Sequence, residues 1–167
     1  TPAPTTPTST PGKPVNPVTP PRNNEDIFNE LLKDLKLPLT LTDSLKAWTG
    51  DPALQQDDLN YLSKDPPYRS AHQKIVDINE LYRVKDFTPE IIEKLRDYIT
   101  ALPTGTTLNV NTAPANLLEA AGLQQSVVAA IIKQRETDPF LNSAQLTKVL
   151  AGAPLPPTVS FTSQYYM

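Results

Sequence analysis

Ser70, His72 and Asp77 have the side chains of a Ser-His-Asp triad and lie within one short stretch of the chain. His72 is the only histidine in the sequence, so histidine-dependent catalysis would have to use it. A serine and an aspartate this close to a histidine also arise from composition alone, and no further mark of an active site accompanies them. We therefore expect His72 to be an exposed loop histidine and the protein not to be an enzyme.

Asp51, Asp57 and Asp58 could gather the hard oxygen ligands that calcium prefers. Their spacing does not follow the alternating ligand positions of an EF-hand loop, and a solvated acidic loop is the simpler interpretation. The chain has no cysteine, which excludes disulfides and thiolate zinc sites. Apart from this candidate calcium site, we predict no cofactor.

The stretch from Asn111 to Arg135 resembles a helix-hairpin-helix motif, with Gly122 at the turn between two apolar helices. In that motif a Gly-hydrophobic-Gly turn and the following helix N-terminus hold a DNA phosphate through backbone N–H groups. Gln124 replaces the second glycine here, so the backbone is less free to approach a phosphate. The surrounding charges also cancel, whereas a phosphate site should be basic. They are Lys133, Arg135 and Lys148 against Glu119, Glu136 and Asp138.

With 167 residues and a net charge of -3, the chain can form one ordinary domain or two very small ones. The charge argues against a general binder of nucleic acid or acidic membranes, because phosphate contacts need clustered Lys and Arg. No stretch approaches the roughly 18–20 apolar residues of a membrane span, and no signal peptide is visible. We expect an excised piece of a larger protein, whose membrane anchor, if there is one, lies upstream of Thr1.

Composition divides the chain into three parts. Residues 1–24 are rich in Pro and Thr and predict a disordered linker or loop. Residues 25–157 have helical periodicity and predict a mainly α domain. In 158–167 apolar and polar residues alternate, which predicts a strand whose sheet lies mostly outside this chain. The alternating residues are Val159, Phe161, Ser163 and Tyr165.

Capping signals predict where the helices begin and end. The first helix should begin near Glu25 and end before Pro38, and Ile99 should belong to the helix that begins at Pro89. Gly122 should end a helix. The expected helix starts are Thr42, Asp77 with Glu80, Thr88 with Pro89, Thr112 and Ser143.

A faint internal repeat aligns Leu81 with Leu117 and Ile91 with Val127. It divides the helical region into two candidate hairpins, 77–102 and 108–150. Two unrelated amphipathic helix pairs would match this well by chance. The other interpretation is that two related hairpins pack side by side and bury their apolar faces in one core.

Several further motifs occur in a fixed order along the chain. They are Trp48 in a turn, Pro67-Tyr68-Arg69, Glu80-Leu81, Asn109, Asn111-Thr112-Ala113 and Gly122. In this order they resemble the K-type minor pseudopilin family of the type II secretion system, over about residues 26–166. The resemblance implies that these residues are structural motifs of the family.

The resemblance implies a pilin-like α+β protein with a large helical domain inserted between strands of its sheet. The present chain would be that inserted domain, SAM-like or helix-hairpin-helix-like in fold, and 158–167 would be the strand that returns to the sheet. The rest of the sheet and an N-terminal helix in the inner membrane would lie outside this chain.

The resemblance also implies a structural function. The protein would sit at the tip of a periplasmic pseudopilus, assemble with I-type and J-type minor pseudopilins, and initiate or cap the fibre during protein export. Contact with secreted substrate proteins would be possible there, and no nucleic acid is expected. A helix-hairpin-helix DNA-binding module is the alternative function.

Two features depart from the family pattern. Relatives are associated with calcium bound in an acidic loop, and only Asp51, Asp57 and Asp58 are counterparts here. Asp86 stands where the family tends to have a glycine.

Overall fold

The computed structural model describes residues 22–101 and 105–161, which form a mainly helical body with one small sheet. The mainly α fold class predicted from the sequence is confirmed. The α-helices are α1 (Asn24–Asp34), α2 (Thr40–Thr49), α3 (Asp58–Leu62), α4 (Pro89–Leu95), α5 (Ala115–Ala120), α6 (Gln125–Thr137) and α7 (Ser143–Leu150). Two 3₁₀-helices, Pro52–Asp57 and Ile78–Arg83, and two strands, β1 (Leu108–Asn109) and β2 (Val159–Ser160), complete the described elements.

Helix α1 connects the two halves of the chain. Its buried residues Ile27, Leu31 and Leu32 form one apolar stripe, as their spacing predicts. The helix packs on α5 and on α2, and α6 packs on both α5 and α7. A single core results, which includes Leu95 from the first predicted hairpin and Leu118 from the second.

The two predicted hairpins therefore share one core, although they differ in form. The first consists of the 3₁₀-helix Ile78–Arg83 and the short α4, whereas the second has α5 and the longer α6. The helix that packs most extensively on α5 is α1, ahead of α6. The side-by-side arrangement of 77–102 and 108–150 stays a prediction.

The small sheet contains the predicted C-terminal strand. β2 pairs in parallel with β1, with Leu108 opposite Val159. The N–H of Leu108 donates to the carbonyl of Thr158 over 2.8 Å, and the N–H of Val110 donates to that of Ser160 over 2.9 Å. The sequence did not predict β1, because a strand of two residues is too short to show the alternation of apolar and polar side chains. Ser163 and Tyr165 lie outside the described residues, as do the linker residues 1–21.

Several predicted helix ends are confirmed. Asp77 and Glu80 form a reciprocal capping box, and the Thr88 hydroxyl accepts from the N–H of Ile91 as the N-cap of α4. Gly122 follows the end of α5 with a φ of +105°. The first helix begins one residue before the predicted start.

The predicted caps Thr42 and Ser143 are wrong. Thr42 is buried inside α2, where its hydroxyl donates to the Asn29 side-chain oxygen on α1 over 2.6 Å. Asn142 caps α7 instead of Ser143, because its side chain accepts from the N–H of Gln145 over 3.0 Å. Asn142 is adjacent to Ser143, and spacing alone could not choose between them, whereas α2 begins after Leu39 without any side-chain cap.

Two further predictions fail where the chain forms separate turns. Thr112 does not cap α5, because the Asn109 carbonyl accepts from the N–H of Thr112 and Pro114 is the last residue before the helix. Ile99 lies beyond the end of α4, since the N–H of Tyr98 donates to the Leu95 carbonyl and tightens the chain into a turn.

Within residues 22–101 and 105–161, no helix has both the length and the apolar character needed to cross a membrane.

Candidate functional site

An aromatic cluster joins the segments that carry Trp48, Tyr61 and Tyr68. Trp48 lies within α2 and not in the predicted turn. The Trp48 and Tyr61 rings meet edge to face with centroids 5.3 Å apart, and the Tyr61 and Tyr68 centroids are 5.5 Å apart. Trp48 and Tyr61 are buried, and the Tyr68 hydroxyl donates to the Arg83 carbonyl over 3.0 Å. The Tyr61 hydroxyl accepts from the N–H of Lys85 over 3.2 Å. The cluster thus fixes the proline-containing loop to the end of the second 3₁₀-helix, which is a stabilising role.

The other residues of the Pro-Tyr-Arg and Glu-Leu motifs divide between surface and core. Pro67 and Arg69 are exposed. The Glu80 carboxylate accepts from the N–H of Asp77 over 3.1 Å and from that of the preceding residue over 2.9 Å. Leu81 is buried in the core. Glu80 and Leu81 therefore serve the local fold, whereas Arg69 presents a charge to solvent.

Asn111 lies in the turn after β1 and forms two hydrogen bonds with the backbone of Phe140. Its Nδ2 donates to the Phe140 carbonyl over 3.0 Å, and its Oδ1 accepts from the Phe140 N–H over 2.8 Å. The Asn109 carbonyl closes the turn by accepting from the N–H groups of Thr112 and Ala113 over 3.1 and 2.8 Å. Thr112 is exposed, whereas Ala113 and Phe140 are buried. The Asn111 side chain therefore holds the loop between α6 and α7 with the pair of backbone hydrogen bonds that a neighbouring strand would form.

Arg135 points from α6 toward the same turn. Its Nη1 donates to the carbonyls of Val110 and Ala113 over 2.9 and 2.7 Å. Such charge-assisted hydrogen bonds are stronger than neutral ones. The basic residue at the end of the hairpin motif therefore supports the fold rather than facing an external phosphate.

Gly122 forms the hairpin turn between α5 and α6. The N–H of Leu123 donates to the Leu118 carbonyl over 3.2 Å, which together with the positive φ of Gly122 makes a Schellman ending. Arg22, just before α1, donates from Nη1 to the Ala120 carbonyl over 2.7 Å and lies beside the glycine. A cation at a helix C-terminus is favourable, so Arg22 stabilises the end of α5.

The acidic loop is described only in part. The Asp51 carboxylate accepts from the N–H of Ala53 over 2.9 Å and lies 3.7 Å from the Lys46 ammonium. The side chains of Asp57 and Asp58 lie outside the described part of the structure, so the calcium site stays a prediction. Among the described side chains, no group of three or more His, Cys, Asp or Glu is placed to hold a metal ion.

The candidate triad residues have separate structural positions. The His72 side chain is exposed, and the backbone N–H of His72 donates to the backbone carbonyl of Trp48 over 3.0 Å. Ser70 is buried. The Asp77 carboxylate accepts from the N–H of Asn79 over 2.7 Å as the N-cap of the second 3₁₀-helix. Asp77 therefore has a capping role that needs no imidazole.

An apolar pocket of about 250 Å³ was not predicted from the sequence. It lies among α1, α2, the second 3₁₀-helix and the chain after α4. Its lining residues are Phe28, Leu45, Ile75, Ile78, Leu81, Phe87, Ile99, Thr100 and Ala101. These come from distant parts of the chain, so helical periodicity identifies them as core residues and cannot indicate a cleft between them.

Two family models match successive parts of the chain, residues 13–104 and residues 108–165, and both describe type II secretion system protein K. The chain belongs to this family. The motifs at Trp48, Tyr68 and Asn111 lie within the matched residues, so the resemblance inferred from them is confirmed.

Individual relatives carry the same description. A type II secretion system protein K from Pectobacterium carotovorum subsp. carotovorum is 29% identical over 153 residues, which cover 83% of this chain and 46% of the relative. One from Aeromonas hydrophila is 34% identical over 95 residues, covering 51% and 29% respectively. One from Pseudomonas aeruginosa is 32% identical over 117 residues, covering 68% and 34%. The chain thus spans less than half the length of these relatives.

Membership of the family makes the chain part of a structural component of the type II secretion system. The geometry is consistent with this class, because the family motifs form hydrogen-bonded turns and a packed aromatic cluster.

Proposed function

We propose that the protein is a minor pseudopilin at the tip of the periplasmic pseudopilus, where it assembles with I-type and J-type minor pseudopilins and initiates or caps the fibre. The observation that carries this proposal is the match of protein K family models to both halves of the chain. The helical body would form the head of a pilin-like domain that continues outside this chain. An N-terminal helix would anchor the whole protein in the inner membrane.

The mechanism would be steric and interfacial, with no catalytic step. α1, α5, α6 and α7 pack in succession, so the helical body is several helices wide. A head of this breadth would prevent the addition of a further subunit above it and would confine the protein to the tip. Secreted substrate proteins would meet the exposed surface of the head there.

Size-exclusion chromatography with light scattering tests the assembly. The whole periplasmic region, with its remaining sheet strands, is mixed with the I-type and J-type ectodomains. We expect one complex containing a single copy of each. Separate elution of the three proteins at tens of micromolar would contradict the proposal.

DNA binding receives less support from the hairpin geometry. Arg135 is engaged by two backbone carbonyls, and Gln124 occupies the position where a second glycine would let a phosphate approach. The DNA alternative requires a duplex affinity that falls steeply as salt increases. A DNA titration across salt concentrations would reveal it.

We also propose that the protein works without a resident cofactor. Asp51 is already engaged by a backbone N–H and lies near Lys46, and a nearby ammonium opposes cation binding. We expect calcium to leave the melting temperature unchanged relative to EDTA. A saturable increase that is lost in D57N and D58N variants would instead establish the calcium site.

A further inference from the structure

The apolar pocket among α1, α2, the second 3₁₀-helix and the chain after α4 is larger than the gaps of an ordinary core. Its volume is about 250 Å³, whereas protein interiors contain few voids larger than a water molecule. Of the residues that line it, Leu81 and Phe87 are buried in the core. Ile75, Ile78 and Ile99 are only half-buried, so an occupant would cover apolar surface that the described residues leave in contact with solvent.

The lining restricts the chemistry of an occupant. Eight of the nine lining residues have apolar side chains, and Thr100 contributes the one hydroxyl. No charged side chain lines the pocket within the part of the chain that the structure describes. Because an unpaired buried charge is costly, the part of a ligand that enters must be uncharged. Thr100 is exposed and therefore lies at the opening, where a charged group of the ligand would stay in water.

The volume sets the size of the hydrocarbon group that can enter. A dry cavity of about 150 Å³ lined by Leu, Ile and Phe holds one benzene molecule. By proportion, a pocket of 250 Å³ holds roughly ten carbon atoms. That is one medium-length alkyl chain or one bicyclic ring. It is too little for both chains of a phospholipid.

The rim of the pocket favours the chain over the ring. Val76 lies in sequence between the lining residues Ile75 and Ile78, and at 80% it is the most exposed of the described large apolar side chains. A ring would be enclosed whole and would leave Val76 in water. An alkyl chain that is longer than the pocket continues over Val76 and removes this surface from water as well.

We infer that this pocket binds the alkyl chain of one free fatty acid, with the carboxylate outside in water. The chain end packs against Leu81 and Phe87, and the part nearest the carboxylate covers Val76. Burial of the chain supplies the driving force. Such a ligand site goes beyond the proposed function, since neither the initiation nor the capping of a fibre requires one.

Isothermal titration calorimetry tests the site with the whole periplasmic region and a series of saturated fatty acids, from hexanoate to tetradecanoate, below their micelle concentrations. We expect one saturable site per protein. Affinity should rise about tenfold for every two added carbons, up to a chain of about ten carbons. Beyond that length it should rise more slowly, because the additional carbons lie over Val76 rather than inside the pocket.

Three variants separate the pocket from its rim. A101W fills the pocket and I75D places a charge on its wall, so each should weaken decanoate binding about tenfold or more. V76S leaves the pocket unchanged and should weaken the binding of tetradecanoate but not of octanoate. The matched control is A144W, which places the same side chain as A101W on the exposed face of α7 and should bind as the wild type does.

The remaining outcomes contradict the inference. They are the absence of saturable binding by every fatty acid in the series, and unchanged binding by A101W and I75D. Tighter binding of naphthol than of decanoate would assign the pocket to a ring. Co-sedimentation with phosphatidylglycerol vesicles without binding of free fatty acids would make this surface a membrane contact. Circular dichroism checks that each variant is folded, and if A101W or I75D is not, the chain-length series and V76S decide. Assembly with the I-type and J-type ectodomains is measured separately, so either proposal can fail alone.

Discussion

Asn111 shows how one side chain can take the place of a strand. Its amide forms both a donor and an acceptor bond with the Phe140 backbone, which is the pairing that a neighbouring strand would supply. Since Phe140 is fully buried, its N–H would otherwise have no access to water. The family motif therefore has a physical reason that requires no ligand.

An N111A variant should lower the free energy of unfolding by about 2 kcal/mol, because two hydrogen bonds are lost and a buried N–H is left unpaired. Urea denaturation followed by circular dichroism measures the change. N79A removes an amide from an exposed position and should change stability by less than about 0.5 kcal/mol. Equal stability of both variants and the wild type would show that the Phe140 contact contributes nothing.

At the scale of the element, two helices end in the same way with different residues. After α1 the chain turns at Lys36 with a φ of +55°, and after α5 it turns at Gly122 with a φ of +105°. In both turns the N–H of the next residue, Leu37 or Leu123, bonds back to a leucine carbonyl in the last helical turn. The left-handed conformation costs a residue with a Cβ more than it costs glycine.

Reciprocal substitutions should therefore have opposite effects. K36G should raise the free energy of unfolding by about 0.5–1 kcal/mol, and G122A should lower it by about 1 kcal/mol. A Cβ at Gly122 would meet only the Arg22 side chain, at 3.9 Å, so the cost is conformational rather than steric. Chemical denaturation of both variants checks the signs. A change of the same sign in both would refute the explanation.

The start of α4 couples helix capping to pH. The Thr88 hydroxyl caps the helix, and its hydrogen bond to the Glu90 side chain lowers the pKa of that carboxyl. A lowered pKa in the folded state means that the ionised carboxylate contributes stability above its unfolded pKa. This contribution is lost as the pH falls through the folded pKa.

A T88A variant should lose about 1 kcal/mol at neutral pH through loss of the cap, and the pKa of Glu90 should rise toward its ordinary value. The stability difference from the wild type should narrow as the pH falls through the folded pKa of Glu90. NMR titration measures the pKa, and denaturation at several pH values measures the difference. T112A is the control, because Thr112 is exposed and caps no helix.

The sequence predicted element types better than element starts. Leucine spacing identified α1, and the capping box at Asp77 and the N-cap at Thr88 located two starts. The predicted cap at Thr42 was wrong because its hydroxyl donates to the Asn29 side chain on α1. Such tertiary contacts cannot be predicted from local spacing.

At the scale of the whole molecule, residues distant in sequence form the core. Leu31 and Leu32 of α1 and Leu118 of α5 are buried in one cluster. Periodicity predicted which faces would be apolar, but not that α1 would pack on α5. The apolar pocket among α1, α2 and the second 3₁₀-helix was missed for the same reason, since it depends on which elements pack together.

An L118A variant should lower the free energy of unfolding by about 3 kcal/mol, because a fully buried side chain is lost from the core shared by both halves. This is a large part of the roughly 5–15 kcal/mol that holds a domain together. Thermal and urea unfolding should both show the loss as one transition. L59A is the control, since Leu59 is 71% exposed and should be nearly neutral. Two separate transitions would indicate that the halves unfold independently.

The packing of α1 on α5 also sets the order in which the chain can fold. Arg22 binds the carbonyl of Ala120, a residue 98 positions later. In the same way, β1 cannot form its hydrogen bonds until β2 has been made. Contacts of such long range slow folding, because a large loop must close before they form. During synthesis the leucine face of α1 therefore stays exposed until most of the chain has been made. Over that interval it is an apolar surface through which incomplete chains can aggregate.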